Sequence, residues 1–202
     1  MSADWVDRQL RERGIRDSRV LAAMRAVPRE AFVPESQKEH AYDDAALELG
    51  YGQTISQPYV VALICQALEL QGGELVLDVG TGSGYQAAVL DELARQVVSM
   101  ERIPELADSA RDNLAATGHG GVEVLVGDGS LGVPSRAPFG GIAVAASAGE
   151  LPQALVDQLA GGGRLVLPLG SYLVRVTRDA GGRRVEPLAA VRFVPLVTGL
   201  PG

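Results

Sequence analysis

The chain has 202 residues but little cysteine, little histidine and no long hydrophobic run. Its single cysteine, Cys65, excludes a disulfide framework, and the apolar residues around it favour an inert, buried thiol over a nucleophile. The two histidines, His40 and His119, lack metal-ligand spacing and carboxylate companions, so we expect no metal site and no catalytic triad. Short apolar runs within a hydrophobic content of 47% predict a globular domain with a substantial core. They argue against a disordered or membrane-spanning chain.

Basic residues are also scarce, with 18 Lys and Arg against 25 Asp and Glu and a net charge of −7. This balance argues against binding to a nucleic-acid backbone, because that binding depends on many cations. No basic stretch followed by an apolar run occurs near Met1, which predicts a cytoplasmic protein without a secretory signal. We expect a monomer with no nucleic-acid partner and no membrane partner.

The charge is unevenly distributed along the chain. Residues 171–202 carry five arginines against Asp179 and Glu186, a net charge of +3, which leaves −10 on residues 1–170. The favoured interpretation of this basic segment is the solvated face of a strand hairpin, and the alternative is a surface for an acidic ligand.

Apolar residues follow helix and strand periods in alternation after a helical N-terminal region. Asp17 or Ser18 can cap a helix that ends at Pro28, and Pro58 is well placed to begin another. Between these helices, the polar and turn-rich stretch over 33–57 predicts a loop. The expected elements are helices over 4–13, 18–26, 59–70, 85–94, 105–116 and 152–159, strands over 75–79, 97–101, 122–126, 141–145 and 164–168, a turn over 161–163, and a hairpin of 173–178 and 183–194.

This alternation predicts an α/β fold with a doubly wound, Rossmann-like sheet. The sheet is expected to be mostly parallel, with a C-terminal antiparallel hairpin and an N-terminal helical region. No internal repeat or long linker divides the chain, so we expect one domain over 1–202. Its parts are the N-terminal helices and loop (1–57), the ligand-binding core (58–170) and the hairpin (171–202).

The most informative local pattern is a strand that ends in Asp78 and is followed by glycines at positions 80, 82 and 84. Glycine at these positions lets a ligand approach the backbone closely. In the dinucleotide fingerprint the third glycine follows the second by three residues, whereas Gly84 follows Gly82 by two. The spacing therefore favours a ligand without phosphates, such as the amino-acid-bearing nucleoside S-adenosylmethionine.

Acidic residues lie at the end of the next predicted strand and just beyond the one after it. Glu101 can accept hydrogen bonds from both hydroxyls of a ribose, although an acid at this position also suits NAD. Asp128, within Gly127-Asp128-Gly129, can accept from the amino group of a purine. Each residue could also be an ordinary loop carboxylate or helix cap. Their placement at the ends of successive strands predicts a nucleoside site.

Longer segments match a known family. They are Ala26-Val27-Pro28-Arg29-Glu30-Ala31-Phe32-Val33, Gly52-Gln53-Thr54-Ile55-Ser56-Gln57-Pro58, Gly80-Thr81-Gly82-Ser83-Gly84-Tyr85-Gln86, Glu101-Arg102-Ile103, Gly127-Asp128-Gly129, Arg136-Ala137-Pro138-Phe139, Leu167-Pro168-Leu169-Gly170 and Arg192-Phe193-Val194-Pro195-Leu196. With them the chain resembles the protein-L-isoaspartate O-methyltransferases over nearly its whole length. The glycine segment alone indicates only a methyltransferase, and the segment over 54–58 narrows the resemblance to this family.

The resemblance implies an S-adenosylmethionine-dependent protein carboxyl O-methyltransferase. Its substrates would be L-isoaspartyl or D-aspartyl residues of damaged proteins, whose methyl esters collapse to succinimides. By the same resemblance Ser56 takes the position of the active-site serine, and residues 193–196 line the isoaspartyl pocket. The residues expected to bind the cofactor are Thr54, Ile55, Ser56, Gln57, Asp78, Gly80, Thr81, Gly82, Gly84, Glu101, Asp128 and Gly129.

This reaction needs positioning more than acid or base catalysis. A carboxylate is ionised at pH 7 and the sulfonium is an activated donor, so no metal or strong base is required. Alignment of the carboxylate oxygen, the methyl carbon and the sulfur can contribute about 7–11 kcal/mol. Ser56 is accordingly interpreted as a hydrogen-bond donor that orients the substrate carboxylate, not as a covalent nucleophile.

Two departures from the family pattern leave alternatives open. Gly140 stands where the family usually has Asp after an aromatic residue, and Ala145 stands where it usually has Thr, so we expect two polar side chains near the pocket to be missing. Ser147 could replace one hydroxyl. The alternatives are a relative dedicated to one peptide or small acid, a cofactor-binding protein without turnover, and an NAD oxidoreductase, which lacks both the glycine spacing and an acid for hydride transfer.

Overall fold

The computed structural model describes residues 4–200, beginning with a helical region. Asp17 accepts hydrogen bonds from the backbone N–H groups of Arg19 and Val20 and so caps the second helix, as predicted. Apolar side chains of that helix are buried, and the chain leaves the helix before Pro28. The elements are α1 (Asp4–Val6), a π-helical turn (Asp7–Arg11), α2 (Ser18–Ala26) and 3-10 turns over Arg29–Phe32 and Glu35–His40.

The segment predicted as a loop over 33–57 contains regular structure. Besides the 3-10 turn over Glu35–His40, it forms an antiparallel hairpin of β1 (Leu47–Gly50) and β2 (Gln53–Ile55). The glycines that suggested a loop instead form the tight turn of this hairpin, where the backbone has positive φ at Gly50 and Gly52. The loop prediction is corrected accordingly.

A seven-stranded sheet forms the centre of the molecule. Its strands are β3 (Leu75–Val79), β4 (Gln96–Glu101), β5 (Glu123–Val126), β6 (Phe139–Val144), β7 (Leu159–Leu169), β8 (Tyr172–Asp179) and β9 (Gly182–Ala190). They lie in the order β5-β4-β3-β6-β7-β8-β9. The first five are parallel, and β8 and β9 add antiparallel strands, as the predicted fold class requires.

Alternate residues along each strand contribute to two apolar clusters. Val76 belongs to the cluster that contains the N-terminal helices, whereas its neighbour Leu77 belongs to the other. Because successive side chains of a strand point to opposite faces, the sheet is covered on both sides. The covering helices are α3 (Pro58–Leu68), α4 (Tyr85–Asp91), α5 (Pro104–Ala116) and α6 (Gln153–Asp157). Within residues 4–200, no helix is both long and apolar enough to cross a membrane.

The largest differences from the predicted strand boundaries are at the start of β7 and the end of β9. The glycines over 161–163, expected to form a turn, lie inside β7, where the pairing register with β6 shifts between Phe139 and Gly141. This irregularity lets β7 contain more residues than the facing part of β6 without ending the strand. At the other end of the sheet β9 stops at Ala190 instead of 194, because the following residues leave the sheet edge and cross to Ser147.

Candidate active site

A cleft lies at the carboxyl ends of β3 and β6. β3 pairs with β4 on one side and β6 on the other, so the strand order reverses at this point. Open α/β sheets bind ligands at such a position. The lining residues are Gln53, Thr54, Ile55, Ser56, Val61, Val79, Gly80, Thr81, Gly82, Ser83, Tyr85, Gln86, Met100, Glu101, Arg102, Gly129, Ala145, Ala146, Val194, Pro195, Leu196 and Val197.

The glycine segment after β3 forms the floor of the cleft and begins α4. Gly80 and Gly82 line the cleft, but Gly84 does not. Gly84 is the N-cap of α4 with φ of 92°, and a Cβ there would lie 3.1 Å from Cγ of Leu114 in α5. Glycine at 84 is therefore required by backbone geometry and by the close approach of α5, not by contact with a ligand.

Asp78 lies beneath this segment rather than in the cleft. Its side chain is fully buried, and its two oxygens accept hydrogen bonds from Nε2 of Gln86 (2.8 Å) and Oγ of Ser99 (2.7 Å). Burial raises the pKa of Asp78 to about 6, although these two hydrogen bonds oppose the shift. Ser99 also contacts Oγ1 of Thr81 at 2.6 Å. Asp78 thus supports the glycine segment from below.

Glu101 presents a carboxylate to the cleft from the end of β4. One oxygen accepts the backbone N–H of Gly82 at 2.8 Å, and the other accepts those of Arg102 (2.8 Å) and Ile103 (3.0 Å). A carboxylate oxygen can accept two hydrogen bonds, so the oxygen bonded to Gly82 retains capacity. The three backbone donors fix the carboxylate in a position where it can accept from a bound ribose.

Asp128 lies beside the cleft, which is lined by its neighbour Gly129. Its oxygens accept from the N–H and hydroxyl of Ser130 (2.9 and 2.6 Å) and from the N–H of Gly199 (2.6 Å). Burial acts to raise the pKa of Asp128, but these hydrogen bonds and the charge of Arg102 outweigh it and lower the pKa. A Cβ on Gly129 would lie 2.5 Å from Cγ1 of Val79, so only glycine fits there.

The C-terminal segment, residues 191–200, forms one wall of the cleft. Its backbone is held by Ser147, whose N–H donates to the carbonyl of Val194 and whose carbonyl accepts from the N–H of Leu196, both at 2.8 Å. Farther along, Nε of Arg102 donates to the carbonyl of Gly199 at 3.3 Å. The segment is thus held by Ser147, which follows β6, and by Arg102 and Asp128 near its end.

A second depression, the outer groove, meets the cleft. It is lined by Ala46, Thr54, Ser56, Gln57, Val60, Ala145, Gly170, Ser171, Ala190, Val191, Arg192, Phe193 and Val194. Thr54, Ser56, Ala145 and Val194 line both spaces. The hydroxyl of Ser56 forms no hydrogen bond with another residue among those described. It therefore offers a donor where the two spaces join, whereas Gln57 faces only the groove and donates to the carbonyl of Asp44 (3.1 Å).

The two departures from the family pattern lie at different ends of the sheet. Gly140 is near the amino end of β6, where a Cβ would lie 2.6 Å from Cγ of Glu74. The expectation that this position removes a polar side chain from the pocket is therefore wrong. Ala145, at the carboxyl end of the same strand, lines both the cleft and the groove. Ser147 donates its hydroxyl to the carbonyl of Gly170 (3.0 Å).

The chemistry of the cleft fits a nucleoside with an amino-acid portion. Arg102 is the one basic side chain among the lining residues, and its Nε donates to the carbonyl of Gly199, so no cluster of cations is available for a pyrophosphate. Glycine backbone, small polar side chains and the carboxylate of Glu101 suit a neutral sugar and a cationic centre. Within residues 4–200, no group of three His, Cys, Asp or Glu residues is arranged to hold a metal ion.

A family model described as Protein-L-isoaspartate(D-aspartate) O-methyltransferase (PCMT) matches residues 2–200. The chain belongs to this family. A protein-L-isoaspartate O-methyltransferase from Methanoculleus marisnigri is 52% identical over 198 residues, which cover 96% of this chain and 90% of the relative. Protein-L-isoaspartate O-methyltransferase 1 from Rhodopseudomonas palustris (strain HaA2) is 56% identical over 198 residues, covering 95% of this chain and 81% of the relative.

A solved structure from Plasmodium falciparum, described as a protein-L-isoaspartate O-methyltransferase in complex with S-adenosyl-L-homocysteine, has a similar fold. Its TM-score is 0.84 at 26% identity, and the match covers 98% of both chains. The comparisons confirm the predicted family, fold class and enzyme class. They leave the individual site residues as predictions.

Several lining residues in this member of the protein-L-isoaspartate O-methyltransferase family were not predicted as site residues. Ala146 follows β6, and the rule that ligands bind at the switch point would have indicated it had the strand order been known. Ala145 was expected near the pocket from the family pattern, although it was not named as a site residue. Tyr85 and Gln86 lie directly after the glycine segment, so their proximity was visible in the sequence. The remaining unpredicted ones are Gln53, Val61, Val79, Ser83, Met100, Arg102 and Val197.

Proposed function

We propose that this protein transfers a methyl group from S-adenosylmethionine to the free carboxylate of L-isoaspartyl or D-aspartyl residues in damaged proteins. The observation that carries the proposal is the position of Ser56. Ser56, whose hydroxyl is unpartnered, lines both the cleft and the outer groove. A carboxylate entering from the groove can meet a methyl donor held in the cleft, with Ser56 between them.

Each part of the cleft has a role in this arrangement. When bound, the cofactor supplies a methyl group activated by a positively charged sulfur. Glu101 would accept hydrogen bonds from the ribose hydroxyls, and Gly80 and Gly82 would allow the amino-acid portion to approach the backbone. Asp128, beside the cleft, would accept from the adenine amino group. The C-terminal segment excludes water from one side.

Ser56 orients the substrate. Its hydroxyl donates a hydrogen bond to one carboxylate oxygen, which leaves the other oxygen directed into the cleft for in-line attack. No proton has to be removed, because the substrate carboxylate is already ionised at neutral pH. Removal of the hydroxyl is therefore expected to slow the reaction without abolishing it.

The methyl ester then enables repair. In an isoaspartyl ester, the backbone nitrogen of the following residue attacks the ester carbonyl, methanol leaves, and a succinimide forms. This step needs no group from the protein. Hydrolysis of the succinimide returns part of the material to a normal aspartyl linkage.

A narrower substrate range is the second candidate, and Ala145 is the observation that favours it. This residue lines both spaces and lacks the hydroxyl that the family usually has there. With Gly140 shown to lie at the other end of the strand, Ala145 is the departure that bears on substrate choice.

The test is transfer of labelled methyl from S-adenosylmethionine to two peptides that differ only in one isoaspartyl or aspartyl linkage. We expect labelling of the isoaspartyl peptide alone, with kcat/KM reduced about tenfold in Ser56→Ala, the loss of one hydrogen bond to a charged group. Ser171→Ala, which removes a hydroxyl from a residue that lines the groove but not the cleft, is the control. Absence of labelling of both peptides, with S-adenosylhomocysteine binding intact, would reject general repair in favour of the dedicated relative or the inactive binder.

We further propose that the protein acts as a monomer in the cytoplasm, without nucleic-acid or membrane partners. The single cysteine, which is buried and free, supports the location, and the net charge of −7 supports the absence of a nucleic-acid partner. Light scattering at several protein concentrations tests the monomer, and cell fractionation tests the location.

A further inference from the structure

We propose that Arg192 makes the outer groove selective for isoaspartyl residues that have an acidic side chain next to them in the substrate. The inference rests on the proposed function, because it specifies which peptides that activity prefers. For the basic residues 171–202, the sequence favoured a solvated strand face over a surface for an acidic ligand. The inference assigns the second of these roles to one residue, Arg192.

Arg192 differs from the other arginines of residues 171–202 in having no partner. It is exposed, and it forms no hydrogen bond or ion pair with another residue in the part of the chain that the structure describes. The other four are engaged: Arg175 with Glu69 and Glu186, Arg178 with the carbonyls of Asp157 and Leu159, Arg183 with Gln153, and Arg184 with Glu186.

Arg192 is also the one charged residue among those that line the groove. The other polar side chains that line the groove are those of Thr54, Ser56, Gln57 and Ser171, and none of them is charged. A guanidinium carries five donors in a planar fork and forms its strongest contacts with carboxylates. The groove thus offers one unsatisfied cation and no competing anion to a polypeptide that lies along it.

The reacting carboxylate is not the group that Arg192 should bind. Arg192 lines the groove but not the cleft, whereas Ser56 lines both. Moreover, the reacting carboxylate loses its negative charge as the ester forms, so a cation bound to it would stabilise the ground state more than the transition state. A second carboxylate, on a flanking residue, keeps its charge throughout the reaction. A cation can therefore bind it equally well in the ground state and in the transition state.

The charge of the whole protein makes this contact significant. With a net charge of −7, the molecule repels an acidic polypeptide at long range. A local cation beside the reaction site offsets that repulsion for a substrate whose acidic residue lies within reach of Arg192.

The experiment compares three isoaspartyl peptides that differ in the following residue, which is Glu, Gln or Lys. We measure kcat/KM for each at low ionic strength, where exposed charges are least screened. The quantity of interest is the Glu/Lys ratio. We expect this ratio to fall in Arg192→Gln by up to about fivefold, as an exposed ion pair allows, and to fall further in Arg192→Glu. The change should lie in KM, with kcat for the Gln peptide unchanged.

Arg95 provides the matched control. It is exposed, precedes β4 at the opposite end of the sheet, and likewise has no side-chain partner among the described residues. Arg95→Glu makes the same change in net charge, and its Glu/Lys ratio should equal that of the unmodified protein. Equal ratios for Arg192→Glu and Arg95→Glu, with the Gln peptide still methylated, would overturn the inference alone. No methylation of any of the three peptides would overturn the proposed function and this inference with it.

Discussion

At the scale of single residues, the site depends on carboxylates in different environments. Glu101 is held by three backbone donors at the edge of the cleft, whereas Asp78 is buried below the glycine segment with two side-chain donors. Asp78 is the penultimate residue of the strand that leads into the glycine segment, and Glu101 is the last residue of the next strand along the chain. The sequence suggested a cofactor role for both. Their surroundings place Glu101 where it can contact a ligand, whereas Asp78 supports the glycine segment.

Asp78 should make the protein less stable as pH rises from about 4 to 6. Its folded pKa, about 6, is above the ordinary value of 3.8, so the folded state binds a proton more tightly than the unfolded state. The free energy of unfolding therefore falls by about 3 kcal/mol in total as the pH rises from about 4 to 6, and it stays constant at higher pH. Urea unfolding of Asp78→Asn at several pH values measures this, because the variant lacks the titration.

We expect the stability of Asp78→Asn relative to the unmodified protein to increase from pH 4 to pH 6 and then to remain constant. Asp112→Asn, which removes a charge from the exposed side of α5, should give a difference that does not vary in this way. A difference between Asp78→Asn and the unmodified protein that is the same at every pH would contradict the assignment.

At the scale of elements, the C-terminal segment contributes to the site although it belongs to no helix or strand of the sheet. Residues 194–197 line the cleft, and the backbone contacts with Ser147 hold them in place. The resemblance to the family implied that residues 193–196 lie at the isoaspartyl pocket, and the structure brings this stretch to the place where cleft and groove meet.

Deletion of residues 193–202 should weaken ligand binding and leave the fold intact. The seven strands and the helices remain, so far-UV circular dichroism should change little. Affinity for S-adenosylhomocysteine, measured by calorimetry, should fall by at least about tenfold, because one wall of the cleft is lost. Deletion of 201–202 alone is the control and should leave the affinity unchanged. Equal affinity of the two shortened proteins would show that the segment does not form part of the binding site.

At the scale of the whole molecule, the N-terminal helices share an apolar cluster with the sheet. Val6 and Leu10 belong to the same buried cluster as Val76 of β3. The buried Arg29 adds a polar connection: its Nε donates to the carbonyl of Ala41 (2.7 Å), and its guanidinium lies 4.8 Å from the ring centre of Tyr85 in α4. These contacts join the N-terminal region to the sheet, and one domain over 1–202 stays a prediction.

Unfolding should therefore occur in one step. Trp5, the single tryptophan, packs against Tyr42 with ring centres 5.1 Å apart and so reports on the N-terminal region. Circular dichroism reports on the whole chain. We expect the same urea midpoint from tryptophan fluorescence and from circular dichroism. In Trp5→Phe, the free energy of unfolding measured by circular dichroism should stay within about 1 kcal/mol of that of the unmodified protein. A fluorescence midpoint at lower urea would indicate a separate N-terminal unit.

Local patterns predicted most of the elements that position the site. Capping by Asp17, the proline at the start of α3 and the alternation of strands and helices through β5 were all readable, because each depends on residues close together in the chain. The hairpin of β1 and β2 and the long β7 were not, since short strands with glycines look like turns until a partner strand is known.

The sequence by itself determined the α/β class and the family, and it predicted the cofactor-binding segment, because glycine spacing, strand-terminal acids and the motif around Ser56 are local features. Only the tertiary structure decided that Gly84 serves helix packing, that Gly140 lies far from the pocket, and that Arg192 is unpartnered beside the site. These properties depend on which strands are neighbours and on where the chain crosses the sheet. Such information comes from contacts between residues distant in sequence, which local patterns do not contain.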